Sequence, residues 1–463
     1  MTPSIKALNF YRNIKGRWAL MLFFFKWDAD YRKDLLTTIL TFVVLIYEVV
    51  SWMTIADIIA AMVDAGIIYI QLGGDMTVIP SDYRPSHGGV PYTTALSHHI
   101  AFHELSVPMA EVLPAPVEDE LGFCNPVNAI KTCKESPLVS DRVDDALMLR
   151  EKMPWREDNT PINFIFSRHQ LRYIAIRVLN RLQHTTNGKL LAFQDMADAI
   201  ADPERTVTLR KAYYYDGLMT VEAFRSRIFR GNLQHETEVF TDLTSYFPVN
   251  REMKDDESFL RFRPDMLKRA SLHIGITSLL LTENNRVALL YQGSTKAVGA
   301  HEVCLGGSGS LEYADIKRAG NPADFRELAA WAMAREVCEE TGMMESIDEA
   351  YANTIVTGFF RWIDRCGLPE FVGLTRAGTV PYAQDRAIDG DEVIHFEEVP
   401  INVDGPEDFP AVMDYIRTNG ICVSLSSLMA LHRMTVIAGY GAKDATDEQK
   451  QIYQRVSSFI KGR

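Results

Sequence analysis

The sequence predicts an α/β protein, and three observations carry that expectation. Strand-like apolar runs fall between residues 272 and 305, an acidic helical stretch "REVCEETGM" follows at Arg335–Met343, and a long apolar segment succeeds a basic start at the N-terminus. The chain has 463 residues, too many for one small unit, and nearly half are hydrophobic, enough for a sizeable core. The expected boundaries are 1–74 for a helical, membrane-inserted segment, 75–165 for a linker-rich region and 166–267 for a mixed middle region. Residues 268–440 form the α/β domain and 441–463 a tail helix.

Seven basic side chains (Lys6, Arg12, Lys15, Arg17, Lys26, Arg32, Lys33) face three acids (Asp28, Asp30, Asp34) in residues 1–34, inside a protein of net charge −13. The apolar stretch that follows carries only Glu48, Asp57 and Asp64 as charges through residue 74. A basic flank before an apolar run is the pattern of the cytoplasmic side of a membrane segment. The longest uncharged run, Leu35 to Tyr47, is shorter than the ~20 residues of a spanning helix, so three arrangements stay open. They are one span over 35–54, a hairpin of spans near 35–50 and 55–71, and a buried helical pair. A cleaved signal peptide fits poorly, because the apolar run begins late.

Pro, Gly and Ser enrich residues 75 to about 165, as in "PSDYRPSHGGVP", which reads as linker. His99 and His103 have a spacing that holds zinc on a helix face, though surface histidines without a third ligand are the simpler reading. Next comes a helical pattern with an arginine stripe, Arg168, Arg172, Arg177 and Arg181, followed by a strand-like start at Tyr213–Tyr215. The acidic balance excludes a general nucleic-acid binder. Six scattered cysteines argue for a reducing compartment and against a disulfide scaffold.

Two apolar strands, Leu272–Thr282 and Val287–Gln292, flank the polar turn Glu283–Arg286. A third short strand, His301–Leu305, leads into the glycine-rich turn at Gly306, Gly307 and Gly309. A helix then begins at Asn321 as N-cap with Pro322 at its first position. Glu336, Glu339 and Glu340 share one face of it, and like charges at that spacing repel unless a cation sits among them. A hard divalent cation with oxygen ligands answers that need. "IVTGFFRWI" and "EFVGLTRAGTV" alternate as further strands, and "SLSSLMALHRMTVIAG" as a closing helix.

Arg335–Met343 resembles, at all seven specified positions, the second half of the Nudix box, R-E-U-x-E-E-x-G-U with U aliphatic. The resemblance spans about residues 268–440 and implies a Nudix α/β/α sandwich. It further implies Mg or Mn held by Glu336, Glu339 and Glu340, with Arg335 orienting a glutamate, Glu339 and Glu340 active in hydrolysis, and Gly306 and Gly307 beside the ligand. The substrates of that family are nucleoside diphosphates linked to another moiety.

The first half of the box, G-x5-E-x7-R-E, fits less well. Glu327 lies at the right distance from Arg335, but residues 308 to 326 separate it from Gly307 where the pattern allows five. On one continuous helix Glu327 and Glu336, nine residues apart, would point to opposite sides. Either the helix starts later and Glu327 comes from the loop as the fourth metal ligand, or Glu312 or Asp315 takes that place. Glu370, Asp389, Asp391 and Glu392 are candidate general bases.

The apolar start, linker and Nudix-like end together are similar to the membrane-linked Nudix effectors of bacterial cyclic-oligonucleotide antiphage systems. That likeness implies a nucleotide ligand, a cyclic oligonucleotide among the options, and a homo-oligomer at the bacterial inner membrane with the Nudix part in the cytoplasm. A soluble Mg-dependent pyrophosphohydrolase is the alternative, and a purely structural acidic helix the third reading.

Overall fold

The computed structural model describes residues 76–78, 98–102, 137–158 and 188–462, with internal breaks of which 231–237, 243–248, 263–268, 294–301 and 388–392 are the longer. The expected membrane segment, the arginine stripe at Arg168–Arg181 and the acids Asp389, Asp391 and Glu392 lie outside the described residues. Among the described residues no helix is long and apolar enough to cross a membrane. The chain is a mixed α/β protein with sheets of mixed strand orientation.

It divides into two units. The first contains a four-stranded sheet of β1 (Met76–Val78), β2 (His98–Phe102), β7 (Ser226–Arg230) and β8 (Glu238–Asp242) in that order. His99 therefore sits on a strand, and His103 lies outside the described residues.

The second unit gathers Leu105–Ile162, Lys189–Ala212 and Pro248–Arg463, so it reaches further back than the expected boundary at 268. Its smaller sheets are β4 (Trp155–Glu157), β6 (Val207–Tyr213) and β5 (Lys189–Phe193), then β9 (Val249–Lys254) with β10 (Glu257–Phe262). A further sheet joins β13 (Val303–Cys304), β12 (Ala288–Gln292) and β17 (Val393–Glu398). The central sheet runs β14 (Ser308–Ser310), β11 (Gly275–Leu281), β16 (Leu368–Arg376), β15 (Thr354–Trp362) and β3 (Pro137–Val139). Within it β11 and β16 are parallel and the other pairs antiparallel.

The described helices are α1 (Asp141–Leu149), α2 (Asp198–Ala201), α3 (Tyr214–Gly217), α4 (Asp315–Arg318), α5 (Phe325–Thr341), α6 (Ile347–Ala352), α7 (Phe409–Thr418), α8 (Leu425–Gly439) and α9 (Asp447–Ile460). Two of them cover the central sheet. Phe325, Leu328, Ala329, Ala332 and Met333 of α5 pack with Ile276, Phe359 and Phe371 of the strands. Each large apolar side chain so buried contributes about 1.5–3 kcal/mol, which offsets the weak intrinsic preference of a short helix. On the opposite face Arg433 of α8 packs over Gly358 beside Val372, the alternate neighbour of Phe371.

Buried polar contacts stitch α1 to this core. Asp144 accepts the backbone N–H of Phe359 (2.7 Å), which a bulge in β15 between Val356 and Gly358 turns away from the regular ladder. Arg433 donates to Asp145 (2.8 Å) and to the Thr357 carbonyl (2.9 Å), and the Tyr440 hydroxyl donates to Asp145 (2.9 Å). At the far end of α1, Arg326 of α5 donates to the carbonyls of Leu147, Arg150 and Glu151, which would otherwise end the helix without partners.

Candidate functional site

The acidic helix begins later than its sequence suggests. Asp324 is the N-cap of α5, its side chain accepting from the N–H of Arg326, whereas Asn321 adopts a positive φ of 57° in the turn after α4. The reason is tertiary. Phe325 N–H donates to the Met153 carbonyl, Met153 N–H to Asp324 and the Trp155 indole to the Pro322 carbonyl, so residues 322–324 serve the strap at 153–155. The helix ends at Gly342, which takes the left-handed conformation (φ 60°) expected of a C-terminal cap.

Glu327 consequently lies in the first turn of α5, exposed to solvent and nine residues before Glu336, on the far side of a continuous helix. It does not join the other three glutamates. Those are drawn out of bulk water: Glu336 is 9% exposed and Glu340 2%, and the Glu339 side chain retains 24%.

The centre of this face is Arg335. Its guanidinium meets Glu336 (3.0 Å), Glu339 (2.9 Å) and both carboxylate oxygens of Asp315 (3.1 and 3.3 Å), and donates to the Ser310 carbonyl (3.0 Å). Burial alone would lower its pKa, but Glu336, Asp315 and Glu339 more than offset that and raise it. Burial raises the Asp315 carboxyl above its ordinary value, although the two-oxygen contact with Arg335 pulls it down. Three carboxylates thus surround one buried guanidinium, an excess of negative charge that low-dielectric surroundings make costly.

Sequence reading put Asp315 forward only as a substitute ligand, yet a signal for it was present. Residues 310–314 separate Gly309 from Asp315, the five of the first half-pattern, with Asp in place of Glu. Residues 316–334 then replace the seven before Arg335, and α4 occupies their start. Glu312, the other substitute, instead pairs at the surface with Arg318 (3.2 Å).

The glycine turn is where α5 meets the sheet. Leu305 and Gly307 carbonyls accept from Leu280 and Ser278 of β11 (2.8 and 2.9 Å), pinning the turn. A Cβ on Gly307 would come 2.4 Å from the Val337 nitrogen, and one on Gly309 2.1 Å from a carboxylate oxygen of Glu336. Gly306 is equally hemmed in, a Cβ there meeting the Ser278 carbonyl at 2.1 Å. Gly306 and Gly307 are therefore explained by close backbone approach.

Glu370 is on the other side of the central sheet. Its neighbour Phe371 belongs to the cluster under α5, so Glu370 faces away, 5% exposed, accepting from the Thr277 hydroxyl (2.9 Å) in space left by Gly275. Burial pushes its pKa up to about 7. Burial pushes the thiol of Cys338, inside the acidic stretch, up to about 12, with help from Glu339 and Glu349, which disfavours the thiolate. Of the described cysteines, Cys304 and Cys366 are buried and Cys338 and Cys422 partly so.

The donor chemistry of Glu336, Glu339 and Glu340 suits a hard cation. As arranged, Arg335 engages two of them, and no group of three or more His, Cys, Asp or Glu side chains among the described residues converges to hold a metal ion. No protein-family model matches the chain, and no curated protein matches it.

Proposed function

We propose that the second unit is a Nudix-type domain that binds the diphosphate of a nucleotide derivative at the α5 face and hydrolyses it with Mg or Mn. The observation that supports this most is the excess of desolvated carboxylate around Arg335, set against a glycine turn that brings backbone directly onto Glu336 and Val337. A bound divalent ion would supply charge neutralisation and polarise a phosphoryl oxygen for attack by water. The roles of this chain's residues follow from their contacts. Asp315 fixes Arg335, Arg335 orients Glu336 and Glu339, and Glu340, one turn further on, completes the anionic face.

The test is phosphate release from nucleoside diphosphate derivatives with magnesium, beside a Glu340→Gln variant that keeps shape and loses charge. Turnover should drop by several orders of magnitude, and equal rates in the two proteins would end the hydrolase reading.

One observation favours a second reading, recognition without cleavage. Arg335 holds two of the three glutamates, so the helix face rests in an arrangement already neutralised in part from within the protein. Joined to the basic and apolar N-terminal sequence, this suits a membrane-associated effector of an antiphage system whose Nudix part senses a nucleotide, a cyclic one included. Complete recovery of the expressed protein in the soluble fraction would remove the effector reading.

A further inference from the structure

Two aromatic rings border the end of α5 in a geometry unlike that of the core. Phe193, Phe325, Phe359 and Phe371 cross one another at 53–90°, the tilted and edge-to-face contacts usual for packed rings. Tyr382 and Phe396 instead lie nearly parallel, 16° apart with centroids 4.6 Å apart. Both rings pack against Leu290, Cys304 and Val393, which holds the pair in place. Both rings are half-buried, so the stack keeps part of its surface open to solvent.

Its position ties this stack to the anionic helix. Both rings pack against the cluster of Val337, Met343 and Met344, which flank Glu340 on the last turn of α5 and just beyond it. The Gly378 N–H donates to the Met344 sulfur (3.3 Å) and the Ala377 N–H to the Leu281 carbonyl (2.7 Å), so the chain approaching Tyr382 is held over that helix end. An aromatic step thus packs on the end of the helix that carries the three glutamates.

We propose that the Tyr382–Phe396 stack is a platform for the planar base of the nucleotide, with the phosphates directed toward Glu336, Glu339 and Glu340. This rests on the phosphate reading above and adds a base-recognising residue to it. Stacking tolerates every base because each has a π-face, so the platform selects for a nucleoside over a bare phosphate and leaves the choice among bases to other contacts.

The experiment is calorimetry on the full chain with magnesium, using ADP, GDP, CDP and UDP beside inorganic pyrophosphate, for the wild type, Tyr382→Ala and Tyr382→Phe. Wild type should bind the nucleoside diphosphates more tightly than pyrophosphate. Tyr382→Ala should lose about 5- to 150-fold in nucleotide affinity, the range of a lost base stack, with pyrophosphate binding unchanged. Tyr382→Phe should restore nucleotide binding. Nucleotide affinity untouched in Tyr382→Ala, or an equal loss for pyrophosphate, overturns the platform while leaving the phosphate site standing. A wild type that takes up neither pyrophosphate nor nucleotide overturns the phosphate reading, and the platform falls with it.

Discussion

Asp315 and Arg335 are 20 residues apart in the chain and 3.1 Å apart in space, with side chains 0% and 4% exposed. That pair fixes the orientation of the helix face on which the functional reading depends. Asp315→Asn leaves Arg335 paired with Glu336 and Glu339 but weakens the two-oxygen contact that anchors it to α4, and a hydrogen bond to a charged group contributes about 1.5–3 kcal/mol. The variant should therefore lower the stability of this unit by about 2 kcal/mol and reduce magnesium-dependent turnover with it. Glu327→Gln, at an exposed position, should stay within about 0.5 kcal/mol of wild type and keep its activity. Thermal unfolding and phosphate release on the two variants check this, and equal effects would return the fourth acid to Glu327.

Gly309 and Gly307 make separable demands. A methyl at Gly307 meets backbone of α5, which cannot yield locally, whereas one at Gly309 meets the end of the Glu336 side chain. Gly307→Ala should cost about 1–3 kcal/mol in unfolding free energy, the usual penalty of overpacking. Gly309→Ala should cost less stability and more turnover, because the carboxylate swings aside. Urea unfolding and turnover measured in parallel decide it, and the reverse ranking would show that the turn does not position Glu336.

The elements with strong local signals were legible from sequence. The apolar alternation of β11 and β12, the Glu283–Arg286 turn, the β15 and β16 strands and the closing α8 helix all lie close to where their patterns put them. What was not legible depends on distant partners. The linker-like segment near residue 137 becomes β3 because the edge of β15 is available to it, and α5 starts at Phe325 because Asp324 and Pro322 are engaged by residues 153–155. The site divides in the same way. Helical periodicity placed Glu336, Glu339 and Glu340 on one face, but the acid paired with Arg335 was obscured by the long interval after Asp315.

Arg433 is the polar anchor of the opposite face. It is 2% exposed and is shared among Asp145, the Thr357 carbonyl and the Tyr440 hydroxyl, with Asp144 3.8 Å away. Arg433→Leu would leave Asp145 and Asp144 facing a hydrocarbon and should destabilise the unit by about 3–5 kcal/mol. The additional change Asp145→Leu should recover part of that loss, because Asp144 is then the one acid left without its cation. A double variant no more stable than Arg433→Leu alone would mean that packing of the arginine stem, rather than its charge, ties α1 to α8.

Glu370 gives a pH signature distinct from the α5 face. Burial raises its pKa from 4.5 to about 7, while the unfolded chain keeps the ordinary value. The folded state therefore binds the proton more tightly. Its favourable contribution is complete below pH 4.5 and is lost as pH rises through about 7. A shift of that size corresponds to about 3 kcal/mol, at 1.36 kcal/mol per pKa unit. Glu370→Gln stays neutral and can keep the Thr277 hydrogen bond, so its stability relative to wild type should rise by up to that amount as pH passes from about 5 to 8. Urea unfolding at the two pH values reads the difference, and parallel slopes for both proteins would show that Glu370 is already ionised in the folded state. Because Phe371 and the sheet separate Glu370 from α5, phosphate release by the variant should match wild type, and a large loss would instead make Glu370 the general base.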